Sequence, residues 1–354
     1  IRKSGKIAFR PLYMGMSGKK KFNNGAAELL GQSFTNIKAG SLQGYLNLVV
    51  TPLLAKKEKG PDYLTMTEAL EGDLLEVTEI SEGGSVPNLR VSNKSVTDNI
   101  LLLDGEELKG AKQNRALNTT ILVGASTEIV VPVSCTEQGR WSYKKSIHDI
   151  GSPHGGHGSD EHMKFIDSEK IMSREIRRKR AKSVSESLEQ SDSYASDQGE
   201  VWNEISKMQQ NLHAHSNTGA MSDSYEARRR ELGEYLKAFP LVKGQRGCVV
   251  FLNGRIAGCE ILSREKAYAR LHDKIIESYA IDALRDRRPT TEFPTKKRAM
   301  SFVREVANWD ASKFKSVGLG DDLRLAKGES NGTALVVDQE VVHSVAFGPE
   351  LLRN

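Results

Sequence analysis

The sequence predicts an α+β fold in which both ends of the chain build one β-rich core, a sandwich or a partly open barrel, around a helical insertion. Short runs of β-branched and aliphatic residues, separated by Gly, Asn, Asp and Pro, occur before residue 134 and again after residue 240, as is typical of strands joined by turns. The segments between them are mostly helical in pattern. With 354 residues, the chain can form one large domain or two ordinary ones.

We divide the chain into four parts on these grounds. They are a basic N-terminal arm (1–27), the first β-rich half of the core (28–143), a helical insertion with flexible loops (144–240), and the second half of the core (241–354). The second half is predicted to hold a hairpin, two helices and the closing strands.

The arm carries seven cations before the first acid, Glu28, and the whole chain has a net charge of +5. Such a run can contact nucleic acid, but we expect a solvated tail or the remains of a targeting sequence, since the chain begins at Ile1. No apolar run approaches the roughly 18 residues of a membrane helix. Three cysteines argue against a disulfide scaffold. We therefore expect a soluble cytoplasmic protein without membrane or nucleic-acid partners; its oligomeric state stays open.

In the first half, strands are predicted at 45–50, 74–78, 89–91, 100–103, 116–123 and 128–133. A short helix is expected between Asp62 and Leu70, with Thr65 or Thr67 as its N-cap. Only four residues separate the last two strands, which favours an antiparallel hairpin.

In the insertion, we expect a loop at 151–158, a basic helix at 168–182, a mobile Ser-rich stretch at 183–196, and helices at 201–212 and 223–239. The last helix begins with Asp223 and Glu226 in the spacing of a capping box.

In the second half, Asn253-Gly254 predicts a type I′ turn, because both positions need positive φ. Counting from this turn pairs Leu252 with Arg255 and Cys248 with Cys259. A hydrogen-bonded pair does not reach the closest approach of two strands, so we expect both thiols to be reduced. Helices are then predicted at 263–284 and 295–309, and strands at 323–325, 333–337 and 341–347.

Two polar clusters lie among the strands, at 104–115 and 134–141. Buried polar groups without a partner cost roughly 1–3 kcal/mol each, so these side chains must bond to one another, to solvent or to a ligand. We favour a ligand. Lys112 and Arg115 suit a phosphate or pyrophosphate, and the amides of Gln113 and Asn114 suit hydroxyls or a base edge. The alternative is a turn at Asp104-Gly105 with surface ion pairs.

Other candidates have plain structural alternatives. Cys135 as a nucleophile needs a nearby histidine, and a buried inert thiol is favoured instead. Trp141 and Trp202 can stack on a nucleobase or simply belong to the core. No Rossmann or P-loop glycine motif is present, which argues against classical nucleotide folds.

A polar loop contains several residue types that bind metals, but their spacing matches no zinc signature, so we expect neither a metal nor a cofactor. These residues are His148, Asp149, His154, His157, Asp160, Glu161 and His162.

The two clusters together carry a family resemblance. They read Asp104-Gly-Glu-Glu-Leu-Lys-Gly-Ala-Lys-Gln-Asn-Arg-Ala-Leu-Asn118 and Pro132-Val-Ser-Cys-Thr-Glu-Gln-Gly-Arg-Trp141. This pair resembles the ARG (ADP-ribosylglycohydrolase) and rhodanese-phosphatase-superfamily-associated protein domain family, and the resemblance extends from about Leu42 to Phe347. Further similar segments are 63–69, 84–91, 197–202, 216–221 and 247–259. The arm, the loop at 151–162 and the stretch at 183–196 look like elaborations on the family pattern.

The resemblance implies a place in NAD-consuming or ADP-ribose pathways. We expect binding of NAD or an ADP-ribose derivative, with hydrolysis of its glycosidic bond as the candidate reaction and Glu106 and Glu137 as the carboxylate pair. Arg115 is expected to meet Glu137. The predicted ligand-binding residues are Lys112, Gln113, Asn114, Arg115, Arg140, Trp141 and Trp202. The rival hypothesis is a non-enzymatic protein-interaction or regulatory module, associated with defence, whose polar cluster is structural.

Overall fold

The computed structural model describes residues 23–81, 87–140, 164–288 and 293–351. The fold is α+β, as predicted, with eight helices and eighteen strands among these residues. Predictions for most of the arm, for the loop at 151–158, for Trp141 and for the candidate metal ligands fall outside the described residues.

The helices are α1 (Asn23–Phe34), α2 (Met66–Glu71), α3 (Arg174–Ser191), α4 (Gln198–Asn211), α5 (Met221–Ala227), α6 (Arg229–Ala238), α7 (Glu265–Arg285) and α8 (Lys296–Val306). None of these helices combines the length and the apolar character needed to cross a membrane.

The strands of the first half are β1 (Lys38–Ala39), β2 (Gln43–Tyr45), β3 (Leu48–Leu54), β4 (Tyr63–Thr65), β5 (Leu75–Glu79), β6 (Asn88–Asn93), β7 (Asn99–Leu102), β8 (Glu106–Gly110), β9 (Arg115–Leu117), β10 (Ile121–Val123) and β11 (Glu128–Cys135). The later strands are β12 (Phe165–Ile171), β13 (Gln245–Leu252), β14 (Arg255–Leu262), β15 (Asp310–Lys315), β16 (Asp321–Lys327), β17 (Ser330–Val337) and β18 (Glu340–Phe347).

These strands form three sheets. A nine-stranded sheet has the order β1-β3-β13-β14-β18-β17-β16-β15, and β2 also pairs with β3. A six-stranded sheet has the order β12-β8-β9-β11-β6-β5, and a three-stranded sheet has the order β10-β7-β4. Because β1–β3 join β13–β18, the largest sheet is built from both ends of the chain, as the sequence predicts.

The two faces of the nine-stranded sheet enter different cores. On one face, Val250 packs in a cluster with Ile275 of α7. On the other face, Val249 packs with Leu30 of α1 and Val303 of α8. Consecutive residues of β13 therefore point to opposite layers, as expected from strand alternation.

A third core lies between the two smaller sheets. Ile100 and Val123 of the three-stranded sheet pack with Val91 and Val133 of the six-stranded sheet, and Met66 of α2 closes the cluster. The first half of the chain thus has its own sandwich-like layer beside the large sheet.

Local signals in the sequence identify two elements correctly. Thr65 caps α2, and Glu68 completes the capping box with the Thr65 backbone. At the β13–β14 turn, Asn253 and Gly254 have φ of 49° and 77°, and Leu252 pairs with Arg255.

The predicted pairing of Cys248 with Cys259 is wrong. A register shift between Val250 and Phe251 places Cys248 opposite Glu260. The two cysteines therefore lie in different cores, on opposite faces of the sheet. All three cysteines are free and buried, so the expectation of reduced thiols is confirmed.

The helix predicted over 168–182 begins too early. β12 continues through Ile171 and pairs with β8, and α3 begins only at Arg174, capped by Ser173. Long-range pairing with β8 makes this segment a strand, and the local sequence contains no signal that predicts this pairing.

The Ser-rich stretch predicted to be mobile is instead the second half of α3 as far as Ser191. Val184 and Leu188 bury one face of this half. Asp192 then ends the helix in the left-handed region, with φ of 53°.

The helix predicted over 223–239 is two helices, α5 and α6, and the proposed capping box is absent from the first. The N-cap of α5 is Ala220. The Asp223 carboxylate accepts instead from Ser216 Oγ at 2.5 Å, a contact with the preceding loop rather than with the helix backbone.

The strand predicted over 116–123 is also two strands. β9 pairs with β11, whereas β10 leaves this sheet and pairs with β7. Asn118, Thr119 and Thr120 make the transition between sheets. The helix α1 and the strands β8 and β15 were not predicted.

Candidate functional site

The two polar motifs are adjacent, as predicted, but not through the predicted hairpin of 116–123 with 128–133, because β10 pairs with β7. β9 and β11 pair antiparallel with Arg115 opposite Cys135. Beyond the strands, Thr136 donates its N–H to the carbonyl of Asn114 at 3.0 Å, and Asn114 donates its N–H to Glu137 Oε2 at 3.2 Å. One end of the six-stranded sheet therefore holds both motifs.

Arg140 connects the two motifs through hydrogen bonds. It donates Nε to both carboxylate oxygens of Glu137 at 3.0 Å and Nη2 to Oε2 at 2.7 Å. It also donates to the carbonyls of Ala111 and Gly110, at 2.6 and 3.3 Å, and to Asn114 Oδ1 at 3.2 Å. The ion partner that the structure gives Glu137 is thus Arg140, where Arg115 was expected.

Glu137 is stabilised as a carboxylate. Burial by itself would raise the pKa of Glu137, but hydrogen bonds from Arg140 and Thr218, the charge of Arg140 and the N–H of Asn114 lower it. A carboxylate with this many donors is a weak base and is held in one orientation.

Arg115 is fully buried beneath this end of the sheet. It donates Nη1 to Gln113 Oε1 at 2.9 Å and has Nη2 3.9 Å from Glu79 Oε1. Gln113 in turn donates to the carbonyl of Gln138 at 3.4 Å, while Lys112 is half-buried at the edge. Gln113, Asn114 and Arg115 therefore hold the motif's own backbone and side chains together.

The two predicted catalytic glutamates lie in separate networks. Glu106 accepts from Lys274 at 3.0 Å and from the N–H of Leu103 at 2.8 Å. Its neighbour Glu107 points to the other face of β8 and accepts from Thr136 at 2.6 Å. Glu107, one residue from the predicted position, is thus the glutamate on the same side as Glu137.

Cys135 is an inert thiol in this setting. It is fully buried, and burial raises the pKa of its thiol. The side chain of Gln198 binds the backbone of Cys135 twice: it accepts from the Cys135 N–H at 2.7 Å and donates to the Cys135 carbonyl at 2.9 Å. Trp202, on the same helix α4, is half-buried, and its Nε1 has no acceptor among the described residues.

Sequence reasoning missed the buried arginines of α3. Arg177 is fully buried and binds Glu260 through two hydrogen bonds, at 3.1 and 2.9 Å, and Asp104 through a third at 3.2 Å. Arg180 binds the second oxygen of Asp104. The i, i+3 spacing of Arg174, Arg177 and Arg180 is the signal that could have indicated one shared helix face.

A histidine and a threonine close this network into a ring. His343 Nε2 donates to Glu260 Oε1 at 3.2 Å, and His343 Nδ1 lies 2.8 Å from Thr120 Oγ1. Thr120 Oγ1 also accepts the N–H of Asp104 at 3.1 Å. Because Asp104 belongs to the first motif, that motif is joined through α3 to the large sheet.

An open cavity of about 690 Å³ lies between α3 and the strands β15–β17. We call it the α3 cavity. It is lined by Arg178, Lys179, Lys182, Ser185, Glu186, Glu189, Glu200, Asp310, Ala311, Ser312, Arg324, Leu325, Ala326, Gly328, Glu329, Ser330, Asn331 and Glu350.

Arg324 is a buried cation of this lining, with 4% of its surface exposed. Its Nη2 donates to Asp322 at 2.7 Å and to Thr119 at 2.9 Å, and its guanidinium stacks on the Tyr194 ring at 5.3 Å. Its Nε and Nη1 have no acceptor among the described residues. Asn331, also in the lining, has an Oδ1 without a donor there.

Metal binding has no support from the part of the chain that the structure describes, where no three His, Cys, Asp or Glu residues are grouped to hold an ion.

A family model described as the ARG and Rhodanese-Phosphatase-superfamily-associated Protein domain matches residues 36–347. The chain belongs to this family. No curated protein matches it, and no solved structure does.

The resemblance inferred from the two motifs is therefore confirmed. The matched segment contains both motifs and the whole of α3. It also contains every residue that lines the α3 cavity except Glu350. The motifs, the arginine network and the cavity are thus parts of one family domain.

Proposed function

We propose that this protein binds NAD or an ADP-ribose derivative in the α3 cavity. The observation that carries the proposal is Arg324, a buried guanidinium in the cavity lining with two nitrogens that lack an acceptor among the described residues. Buried donors without partners are unfavourable, and a phosphate oxygen satisfies a guanidinium well once Arg324 turns toward the cavity, since neither nitrogen is solvent-accessible in this conformation. The family's association with ADP-ribosylglycohydrolases supports the choice of ligand class.

The size of the cavity supports a nucleotide-sized ligand. Ligand sites in proteins typically measure about 300–1,000 Å³, and the α3 cavity measures about 690 Å³. A single phosphate or a free nicotinamide ring would leave most of this volume empty.

The mixed charge of the lining also supports a dinucleotide. The lining holds four cations and six acids. Lys179, Lys182 and Arg324 can bind a pyrophosphate in exchange for their present contacts with Glu204, Glu186 and Asp322, while carboxylates such as Glu329 and Glu350 can accept hydrogen bonds from ribose hydroxyls. A purely anionic ligand would be repelled by these acids. A ligand with phosphates and many hydroxyls can bind the cations with its phosphates and the carboxylates with its hydroxyls.

Hydrolysis, if this protein performs it, has its best candidate acid in this cavity. Burial raises the pKa of Glu200, with further contributions from the neighbouring acids Asp197 and Glu204, against the opposing charge of Lys179. A carboxyl group with a raised pKa suits protonation of a leaving group. Glu106 and Glu137, by contrast, are each held by a cation elsewhere.

Calorimetric titration with ADP-ribose, NAD and nicotinamide tests the binding proposal. Hydrogen bonds to charged groups contribute about 1.5–3 kcal/mol, so we expect Arg324→Met to weaken ADP-ribose binding about 10- to 100-fold. Arg304→Met, at an exposed position on α8, is the matched control and should bind normally. Lys182→Met provides a second cavity variant, because its exposed side chain is not needed for folding.

The absence of heat with every ligand, in a protein whose thermal unfolding is normal, would contradict the binding proposal. Chromatographic detection of nicotinamide or ADP-ribose tests hydrolysis separately. There we expect Glu200→Gln to retain binding and to lose any turnover that the wild type has.

A non-enzymatic interaction module is the second candidate function. One observation favours it: Glu137, Arg140, Asn114 and Arg115 bind one another, as expected of a structural cluster. Normal ADP-ribose binding without turnover would be compatible with a ligand-regulated module of this kind.

A further inference from the structure

A second, smaller recess lies beside the inner strands β13, β14 and β18 of the large sheet. It measures about 30 Å³. It is formed by the end of α1, the segment after β3, the start of β13, the end of β14 and the start of β18. We call it the α1 recess. Its charged lining residues are Lys57, Lys59, Arg246 and Glu340.

The α1 recess is positively charged. Lys57, Lys59 and Arg246 face one acid, Glu340, which is 3.2 Å from Lys59. Lys57 has no ion partner among the described residues. The lining therefore has two more cations than acids, although the carboxylates of Glu58 and Glu265, outside the lining, also act on Arg246.

Arg246 is built into the recess rather than lying on its surface. Only 7% of it is exposed, and Nη1 donates to the carbonyl of Ser263 at 2.7 Å. Its Nε is buried without an acceptor among the described residues. Burial lowers the pKa of Arg246, so an anion beside it would offset an existing cost.

Neutral donors complete the lining. Gln32, Ser33 and Asn36 supply amides and a hydroxyl from α1 and the residues just after it. Ser263 Oγ lies 3.0 Å from the hydroxyl of Tyr63, and burial raises the pKa of Tyr63 to about 12. Tyr63 is thus neutral at physiological pH and adds no negative charge near the recess.

We propose that the α1 recess binds a small oxyanion of the phosphate type, either as the free ion or as the phosphoryl end of a larger molecule. A single water needs about 10–15 Å³ by the same measure, so the recess has room for one small anion and not for a nucleotide. Its chemistry is that of guanidinium and ammonium groups converging with neutral donors. This site is separate from the α3 cavity and does not depend on the function proposed there.

Calorimetry at low ionic strength with inorganic phosphate and with glycerol 3-phosphate tests the site. We expect Arg246→Met and Lys57→Met each to weaken phosphate binding by about tenfold or more. Lys57 is exposed, so its variant separates loss of the anion from loss of folding. Lys243→Met is the matched control, since Lys243 is exposed next to β13 but outside the lining, and it should bind normally.

Lys182→Met, in the α3 cavity, should also leave phosphate binding intact, which separates this proposal from the first. Tighter binding of free phosphate than of the ester indicates the ion as ligand, and the reverse indicates a phosphoryl group on a larger molecule. No binding of either probe by the wild type, or equal binding by Lys57→Met, Arg246→Met and the control, would overturn the proposal.

Discussion

Glu106 and Glu107 are neighbours in sequence, yet their side chains meet different environments. Glu106 has an ammonium partner in Lys274, whereas Glu107 accepts hydrogen bonds from the hydroxyl groups of Thr136 and Ser168. Strand alternation decides which of the two faces the motif. Because β8 was not predicted from the sequence, the motif could not show which of the two glutamates lies on the side of Glu137.

The first prediction concerns Glu107. Burial raises its pKa from 4.5 to about 7. The folded state therefore holds a proton that the unfolded state releases, so stability should fall as pH rises from 4.5 through about 7. Glu107→Gln removes this loss and should stabilise the protein above neutral pH by up to about 3 kcal/mol.

Urea unfolding at several pH values measures this effect. The gain in unfolding free energy should be small near pH 4.5 and largest above about pH 7. Glu226→Gln, at an exposed position, should change the unfolding free energy little at any pH. A gain that does not depend on pH would show that the pKa of Glu107 is not raised in the folded protein.

The second prediction concerns the Glu137–Arg140 pair. Both side chains are nearly buried, at 6% and 11% exposure, so Glu137→Gln or Arg140→Met alone leaves a partner without its counter-charge. We expect each single change to cost about 2–4 kcal/mol and the double variant to cost less than the sum.

A double-mutant cycle by denaturant unfolding measures the coupling. The exposed pair Arg90 and Glu128, 3.6 Å apart, provides the control and should couple by less than about 1 kcal/mol. Additive losses would mean that Glu137 and Arg140 do not stabilise each other as an ion pair.

At the scale of single elements, the second half of α3 shows where composition misleads. Serines lower helix propensity, and their frequency suggested a mobile segment. The buried apolar stripe of Val184 and Leu188 explains the helix, while Ser185 satisfies its hydroxyl at the carbonyl of Ala181, 2.8 Å away. Tertiary burial outweighs propensity here, and the sequence alone does not reveal the partner surface.

Leu188→Ala tests this account. Leu188 is 3% exposed, so its truncation should cost about 2–4 kcal/mol in unfolding free energy. Gln190→Ala, at an exposed position two residues on, should stay within about 0.5 kcal/mol. Equal and small effects of both substitutions would favour the mobile segment that the composition suggested.

In the β13–β14 hairpin, the local sequence predicts the turn but not the register of the two strands. Its Asn-Gly turn was predictable because both residues adopt positive φ, but the register shift beyond Val250 was not, since bulges have no strong sequence signal. We expect Cys248 and Cys259 to resist disulfide formation, because they point to opposite faces. Thiol titration after oxidant treatment and denaturation should recover both thiols. A Cys248–Cys259 disulfide in the folded protein would contradict this arrangement.

At the scale of the whole molecule, the sequence predicted that both ends of the chain share a core, because both carry strand patterns. It could not predict what joins them. Asp104 and Glu260 come from the two halves, and Arg177 from the insertion binds both. Residue separations of 73 and 83 along the chain leave no local signal for such contacts. The segment that looked like an insertion is therefore the ionic link between the halves.

This link makes a prediction about acid stability. Burial alone would raise the pKa of Glu260, but the charge of Arg177, with hydrogen bonds from His343 and Arg177, lowers it from 4.5 to about 2. An acid with a lowered folded-state pKa contributes stability that is fully present above the unfolded value. That contribution, about 3 kcal/mol from the two pKa values, is lost as pH falls from 4.5 to about 2.

Glu260→Gln should therefore be less stable than the wild type at neutral pH and should lose less of its stability on acidification. Urea midpoints measured through this pH range should converge for the two proteins at its acid end, because the wild-type carboxylate is then protonated. Glu305→Gln, at an exposed position on α8, should follow the wild-type curve throughout. Parallel acid curves for wild type and Glu260→Gln would mean that the Arg177 link does not hold Glu260 ionised, and the coupling of the two halves through α3 would have to rest on packing alone.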